Sequence, residues 1–260
     1  MGKTLLAGPW VGEFGWELFC WQGFIRDLSR DYEKTIVIGR PTNAFLYEDF
    51  AEFVPFDPES FETDAWRCNN AKSANELVNS IPHDQYFSGQ FDIGFRYASN
   101  HGLITMGQSD EQEFHQYSSD ITDEGYDVIL HGRNKSTGSE RNWSLEQWEK
   151  LVSIIPDDLS IACIGNDEAF HIEGTEDKRN IDLETLCAIM KNSKVIAGPS
   201  SGPMHFASLC GLKHIVWSED FNRERYQKLW NPFKTKVIYY SADGWNPDPN
   251  DIKDLIMISV

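Results

Sequence analysis

The sequence predicts an α/β protein built from two doubly wound parallel sheets, and three observations carry that expectation. A strand–helix–strand series runs over residues 4–38, and a longer alternating series runs over 128–217. Between them lies an acidic, turn-rich stretch, Ser118-Ser-Asp-Ile-Thr-Asp-Glu-Gly125, which reads as a linker. Strands that alternate with helices at this rhythm give parallel sheets with helices on their faces.

The elements follow in order. Thr4 to Ala7 is a short apolar strand, followed by the loop Gly8-Pro-Trp-Val-Gly-Glu-Phe-Gly15 and a helix reaching about Arg30. Along that helix Trp16, Phe19, Cys20, Gly23, Phe24 and Leu28 recur at roughly helical spacing and make one apolar face. Thr35 to Ile38, rich in β-branched residues, completes a βαβ unit, which is normally parallel and right-handed. Residues 42–124 show weak periodicity, with a helix expected at Ala71 to Ser80 and a strand at Asp92 to Tyr97. The second series has strands at Val128 to His131, Leu159 to Ile164, Val195 to Ala197 and Lys213 to Trp217. Its helices are Ser144 to Ile154 and Leu183 to Lys191, the first with Ser144 as N-cap and Gln147 at the capping-box position.

Composition narrows the classes. The chain has 260 residues, of which 40% are hydrophobic and 25% charged, as in an ordinary globular protein with material for two cores. No run is long and apolar enough to cross a bilayer, and no leader pattern opens the sequence, so no stable membrane insertion is expected. Five cysteines (20, 68, 163, 187 and 210) without a CxxC favour reduced, buried thiols and a cytoplasmic setting. The net charge of −18 argues against general affinity for polyanions. It leaves room for a local basic pocket, and two clusters qualify: Arg133, Lys135 and Arg141, and Arg223, Arg225 and Lys228. Taken alone, each cluster also suits a solvated loop.

The most informative stretch is Val195-Ile-Ala-Gly-Pro-Ser-Ser-Gly-Pro-Met-His-Phe-Ala-Ser-Leu-Cys-Gly211. A buried strand enters a turn dense in Gly, Pro and Ser, and a helix opens near Pro203. Helix N-termini offer unpaired N–H groups and the positive end of the dipole to an anion, phosphate above all. The same turn also suits a tight strand-to-helix connection without a ligand.

The second half resembles the heptosyltransferase-like glycosyltransferases of family nine. Three blocks carry the resemblance in the family's order: Val128-Ile-Leu-His-Gly-Arg133 with Arg141-Asn-Trp-Ser-Leu-Glu-Gln-Trp148, then Ile161-Ala-Cys-Ile-Gly165 with Asn166-Asp-Glu168, then Gly198-Pro-Ser-Ser-Gly-Pro-Met-His205. Gly-Pro-Met-His is the most specific piece. The resemblance covers about residues 126–218 and implies the GT-B fold, two Rossmann-like domains facing a central cleft. The implied division is an acceptor-side domain at 1–123, a nucleotide-sugar domain at 124–245, and a segment at 246–260 that packs back on the N-terminal domain.

The resemblance also implies site residues. Arg133, Lys135, Arg141, Glu168, Ser200, Ser201, Gly202 and His205 would hold the donor, the cations and the turn stabilising the departing diphosphate. Ser200 stands where the family carries an acid. Its hydroxyl can donate to a phosphate oxygen, which a carboxylate cannot. In the first half, Gly12-Glu-Phe-Gly-Trp-Glu17 occupies the place of the family's glycine loop with its general base, offering Glu13 and Glu17. Glu13 is favoured, because a carboxylate at the helix start, such as Glu17, is also simply stabilised by the dipole. Gly12 and Trp10 would contact the acceptor, the Trp10 ring by stacking, whereas Trp16 and Trp148 read as core.

The reaction expected is sugar transfer from a nucleoside-diphosphate sugar to an acceptor hydroxyl, on a surface glycan or on a hydroxymethylated pyrimidine in DNA. No Asp-x-Asp pair occurs in the chain. The expectation is therefore metal-independent catalysis with no cofactor beyond the donor substrate. The alternatives are a GT-B sugar-nucleotide epimerase and a non-catalytic protein binding a nucleotide sugar or a partner. Donor sugar, acceptor and oligomeric state are left open by the sequence.

Overall fold

The computed structural model describes residues 2–57, 71–89, 112–122, 124–136 and 138–260. The chain divides into two compact units, Met1–His115 and Gln116–Val260. The division falls ahead of the linker read from the sequence. Tyr117 already belongs to the second unit, where its N–H donates to Leu209 O and its ring packs on Phe206.

Unit 1 contains β1 (Thr4–Ala7), β2 (Lys34–Gly39), β3 (Glu52–Pro55) and β4 (Gln85–Phe87). All pairings are parallel, in the order β3-β2-β1-β4. The predicted βαβ unit is present. Its helix begins as α1 (Phe14–Trp16), passes through a π turn (Glu17–Trp21) and continues as α2 (Gln22–Ser29). Helix α3 (Ala71–Ser80) falls where its periodicity places it. The strand expected at Asp92 to Tyr97 lies outside the described residues. Leu6, Ile36, Ile38 and Val78 form a core between sheet and helix.

Unit 2 is a six-stranded parallel sheet: β5 (Val128–His131), β6 (Ile161–Gly165), β7 (Glu176–Arg179), β8 (Val195–Pro199), β9 (His214–Ser218) and β10 (Val237–Ser241). Its order is β10-β9-β8-β5-β6-β7. This is the doubly wound arrangement, in which the chain builds outward from β5 to one edge and then returns to build the other from β8. Helix α4 (Leu145–Ile154) carries the predicted capping box in full, with both reciprocal bonds between Ser144 and Gln147. Asp182 caps α5 (Leu183–Asn192), and α6 (Gly202–Cys210) closes on Gly211 in the left-handed region. The core centres on Trp143, Trp148 and Trp217, whose ring centroids lie 4.9–5.5 Å apart.

Helix α7 (Pro249–Met257) buries Ile252 and Ile256 in this same core. The C-terminal segment thus packs on unit 2, where the sequence reading had sent it to the N-terminal domain. Its apolar i, i+4 pair fits against α4 and the sheet. Among the described residues no helix is long and apolar enough to cross a membrane, and the four described cysteines are buried thiols.

Candidate functional site

In unit 2 the candidate site lies at the carboxyl ends of β5 and β8. These strands are paired side by side although their onward connections leave in opposite directions. Such a switch point opens a crevice between the diverging connections, and open α/β sheets bind ligands there. The β5 side supplies His131-Gly132-Arg133 and the β8 side Pro199-Ser200-Ser201-Gly202. Gly132 suits the close approach of Phe170, since a Cβ there would stand a tight 3.0 Å from Phe170 O. The Phe170 N–H donates to Gly132 O (2.8 Å), so the loop after β6, which carries exposed Glu168, leans on the same strand end.

The β8 turn is braced from within the unit. The Ser200 N–H donates to Trp217 O on β9 (3.1 Å), and the Ser201 N–H donates to the Tyr226 hydroxyl (3.0 Å). Tyr226 in turn donates to Ser200 Oγ (3.0 Å). Two of the amides expected to face an anion are therefore used internally. The turn keeps the Ser201 hydroxyl, which is buried and has no protein partner, and the Gly202 end of α6.

The basic residues divide in role. Arg133 is 3% exposed and folds back on its own loop, donating to Gly138 O (2.9 Å) and Asn142 Oδ1. Asn142 also donates to Lys135 O (2.8 Å) and accepts from the Lys135 N–H (3.2 Å), so a single amide organises the loop. Lys135 itself is exposed. Arg141 lies over the Trp245 ring, 5.8 Å from its centroid, beyond the end of β10. In the second cluster Arg223 pairs with Asp220 (2.8 Å), Arg225 covers Trp230 (4.8 Å) and Lys228 reaches Glu224 (3.8 Å).

His205, expected as a further donor to the diphosphate, is instead an interior residue. It is 3% exposed, with Tyr226 stacked on one side and the Trp230 edge on the other. Burial pushes its pKa well down, helped by the charge of Arg225, so the ring is neutral. His131 is also buried and neutral, its pKa lowered to about 4 mainly by burial, against a hydrogen bond to Ile164 O that raises it.

In unit 1 the loop after β1 is fixed by close backbone approach. Gly8 has φ +98°, and a Cβ there would lie 2.1 Å from Ile38 O. The Val11 N–H donates to Gly89 O (3.2 Å), and a Cβ on Gly89 would meet Trp10 Cα at 2.8 Å. Trp10 is accordingly core: 2% exposed and stacked on Trp21 at 5.3 Å. It presents no face to an acceptor, contrary to expectation, because its ring is packed on Trp21 in the interior. Trp16, read as core, is half-buried, while Trp148 is fully buried.

Glu13 and Glu17 occupy opposite environments. Glu13 is half-buried at the N-cap of α1 in extended conformation, and its side chain makes no capping bond. Glu17 is 1% exposed and accepts from Asn43 Nδ2 (2.7 Å) and Tyr47 OH (2.7 Å), with Arg40 Nη1 at 3.7 Å. Desolvation raises its pKa, and Arg40, Tyr47 and Asn43 oppose that rise. Arg40 Nη2 also donates to Gly12 O (3.0 Å), tying this buried cluster to the residue before Glu13. Glu17 is thus a structural carboxylate, and Gly12 is held through its carbonyl. Sequence reading missed Arg40, Asn43, Tyr47 and Tyr226, none of which stands in a motif or at a telling spacing, and it passed over Asn142 although that residue stands in the Arg141 to Trp148 block.

No protein-family model and no curated protein sequence matches the chain. Solved structures do. The ADP-heptose lipopolysaccharide heptosyltransferase II of E. coli superposes with TM-score 0.62 at 12% identity, over 98% of each chain. A glycosyltransferase family 9 protein from Veillonella parvula gives TM-score 0.59 at 11% identity, over 92% of this chain and 86% of that one. The dodecameric glycosyltransferase TibC of enterotoxigenic E. coli gives 0.57 at 14%, over 93% of this chain, which spans 63% of TibC. TibC is described as iron-containing, and that overturns the expectation that a protein of this kind needs no cofactor. The described residues here do not fit such an ion: among them no group of three or more His, Cys, Asp or Glu side chains is placed to hold a metal. The fold of this chain is the two-sheet α/β GT-B fold of the heptosyltransferases.

Proposed function

We propose that this chain is a glycosyltransferase that moves a sugar from a nucleoside-diphosphate sugar to an acceptor hydroxyl. The observation that carries the reading is the β5/β8 switch point, where exposed Lys135, the Ser201 hydroxyl and the start of α6 stand at the carboxyl ends of adjacent strands. The fold agrees, since heptosyltransferase II is named for ADP-heptose and TibC is described in complex with ADP-heptose.

Glu13 takes the proton from the acceptor hydroxyl, the one role that needs a carboxylate not already committed to other groups. Lys135, Ser201 and the α6 N-terminus stabilise the departing diphosphate, charge developing on oxygens that accept hydrogen bonds. Arg133 and Arg141 shape the cationic side of that site. Glu168, exposed on the loop after β6, accepts from a ribose hydroxyl of the donor in this reading. A surface glycan is the preferred acceptor. A net charge of −18 opposes approach to DNA, so a hydroxymethylated pyrimidine would need a local basic rim.

The test is titration of the protein with ADP-, UDP- and GDP-sugars by calorimetry, followed by transfer assays on the one that binds. Saturable binding together with transfer supports the proposal. Binding without transfer to any acceptor points to a non-catalytic nucleotide-sugar protein, a reading favoured by the internal use of the Ser200 and Ser201 amides. No binding by any nucleotide sugar overturns the proposal.

A further inference from the structure

His131 ends β5 at the switch point, between glycine positions on the two neighbouring strands. Its neighbour on β8 is Gly198, where a Cβ would come within 3.1 Å of His131 Cβ and 3.0 Å of Met204 Sδ. On β6, Gly165 has φ +146° and a Cβ there would meet Ala169 Cβ at 2.3 Å, while the His131 ring atoms Cε1 and Nδ1 lie at ordinary contact distance from it, 3.7 Å. The imidazole is therefore flanked by glycine on both adjacent strands, at the strand ends that open the crevice.

The ring's protonation is set by its neighbours. Nδ1 lies 3.3 Å from Ile164 O, and a carbonyl can only accept, so Nδ1 carries the proton. The ring is neutral, because burial and the charges of Lys135 and Arg133 oppose a second proton. Nε2 is thus left with a lone pair. Among the cations and hydroxyls at this strand end, it is a nitrogen that accepts. A phosphate oxygen cannot donate to it, whereas a hydroxyl or amine can.

We propose that His131 Nε2 accepts a hydrogen bond from the nucleoside part of the donor, a ribose hydroxyl or an exocyclic amine, and so makes His131 a specificity determinant at this site. The inference rests on the nucleotide-sugar reading above. It separates two tasks within one crevice: Lys135 and the β8 turn bind the diphosphate, and His131 reads the neutral nucleoside.

The experiment measures dissociation constants of ADP, UDP, 2′-deoxy-ADP, 3′-deoxy-ADP and inorganic pyrophosphate for wild type, His131→Phe and His131→Gln. Phe keeps a flat ring and removes the acceptor, while Gln keeps an acceptor if the phenyl ring unfolds the strand end. Thermal unfolding confirms that each variant is folded. The expected result is that His131→Phe weakens the nucleoside diphosphate at least fivefold while pyrophosphate changes less than twofold, and that Gln restores part of the loss. If the partner is a ribose hydroxyl, the matching deoxy nucleotide binds wild type and His131→Phe equally. If it is the adenine amine, the loss appears with ADP and not with UDP. Equal binding of nucleoside diphosphates by folded variants and wild type, or an equal loss for pyrophosphate, overturns the inference alone. A wild-type protein that binds no nucleoside diphosphate overturns the parent reading with it.

Discussion

Tyr226 lies face to face with His205, the ring centroids 4.1 Å apart and the planes within 9° of parallel, while its hydroxyl holds both serines of the β8 turn. One side chain therefore joins the interior of α6 to the turn that precedes it. Tyr226→Phe keeps the stack and strips the hydroxyl, leaving the Ser201 N–H without its partner. The expected loss is about 1–3 kcal/mol of stability, the cost of an unsatisfied buried amide. Urea unfolding measures it, and an unchanged midpoint would show that the turn holds without the phenol.

Acid should destabilise unit 2 before its carboxylates titrate. His131 and His214 have folded pKa values near 4 and His205 lies well below the ordinary range, all chiefly through burial. An unfolded chain takes up these protons near pH 6.5 and the folded chain does not, so stability is full above that pH and falls as pH drops toward 4. Between pH 7 and 5 the loss is about 2 kcal/mol for each of His131 and His214. Glu17, with its raised pKa, works in the opposite direction in unit 1. Denaturant curves of the whole chain at the two pH values decide the matter, and a flat profile would contradict the buried neutral rings.

Glu13→Gln and Glu17→Gln should separate chemistry from architecture. The first is expected to abolish transfer while leaving nucleotide affinity and melting temperature near wild type. The second removes the charge facing Arg40 and the acceptor shared by Asn43 and Tyr47, at a cost of about 2–4 kcal/mol. Turnover at saturating donor, set beside a melting curve, distinguishes them. Full activity in Glu13→Gln would remove it as the base.

Gly8→Ala tests the loop geometry. The position has φ +98°, and the added methyl would stand 2.1 Å from Ile38 O, so backbone must move. A destabilisation of about 2–4 kcal/mol is expected from strain and overpacking together. A melting temperature within a degree of wild type would show that the loop has slack.

The cation roles are testable as a contrast. Lys135→Ala should weaken nucleotide binding by about 1–3 kcal/mol with little change in stability, as for a charged hydrogen bond to phosphate. Arg133→Ala should do the reverse, because its guanidinium is spent on Gly138 and Asn142. Paired calorimetry and unfolding on both variants would expose a wrong assignment.

What the sequence made legible follows burial. The strands anticipated at Thr4–Ala7, Thr35–Ile38, Val128–His131 and Val195–Ala197 are central in their sheets, and strands covered on both faces read as unbroken apolar runs. Among the described residues, the strands that went unread, β3, β4, β7 and β10, stand at the ends of the two strand orders. β7 is Glu-Asp-Lys-Arg, four charged residues with no apolar alternation to detect, as suits an edge guarded against pairing with another chain. The candidate site divides in the same way. Glu13, Lys135 and the β8 turn announce themselves through glycine, charge and helix-start chemistry. Trp10 and His205 stand in the same motifs, but their side chains turn into the core, and motif spacing does not encode that direction. Tyr226 and Arg40 act on segments distant in sequence, so nothing local marks them.

The strand order of unit 2 has a further consequence, for assembly. β5 and β8 are hydrogen-bonded neighbours, yet β6, β7 and two helices are synthesised between them. Closing that loop carries an entropic cost that is met before the carboxyl ends of β5 and β8 stand side by side. A chain cut between β7 and α5 would leave one wall of the crevice on each fragment. Under the proposed function neither piece alone would hold a nucleotide, and nucleotide capture by the mixed fragments would report that the two halves had found each other.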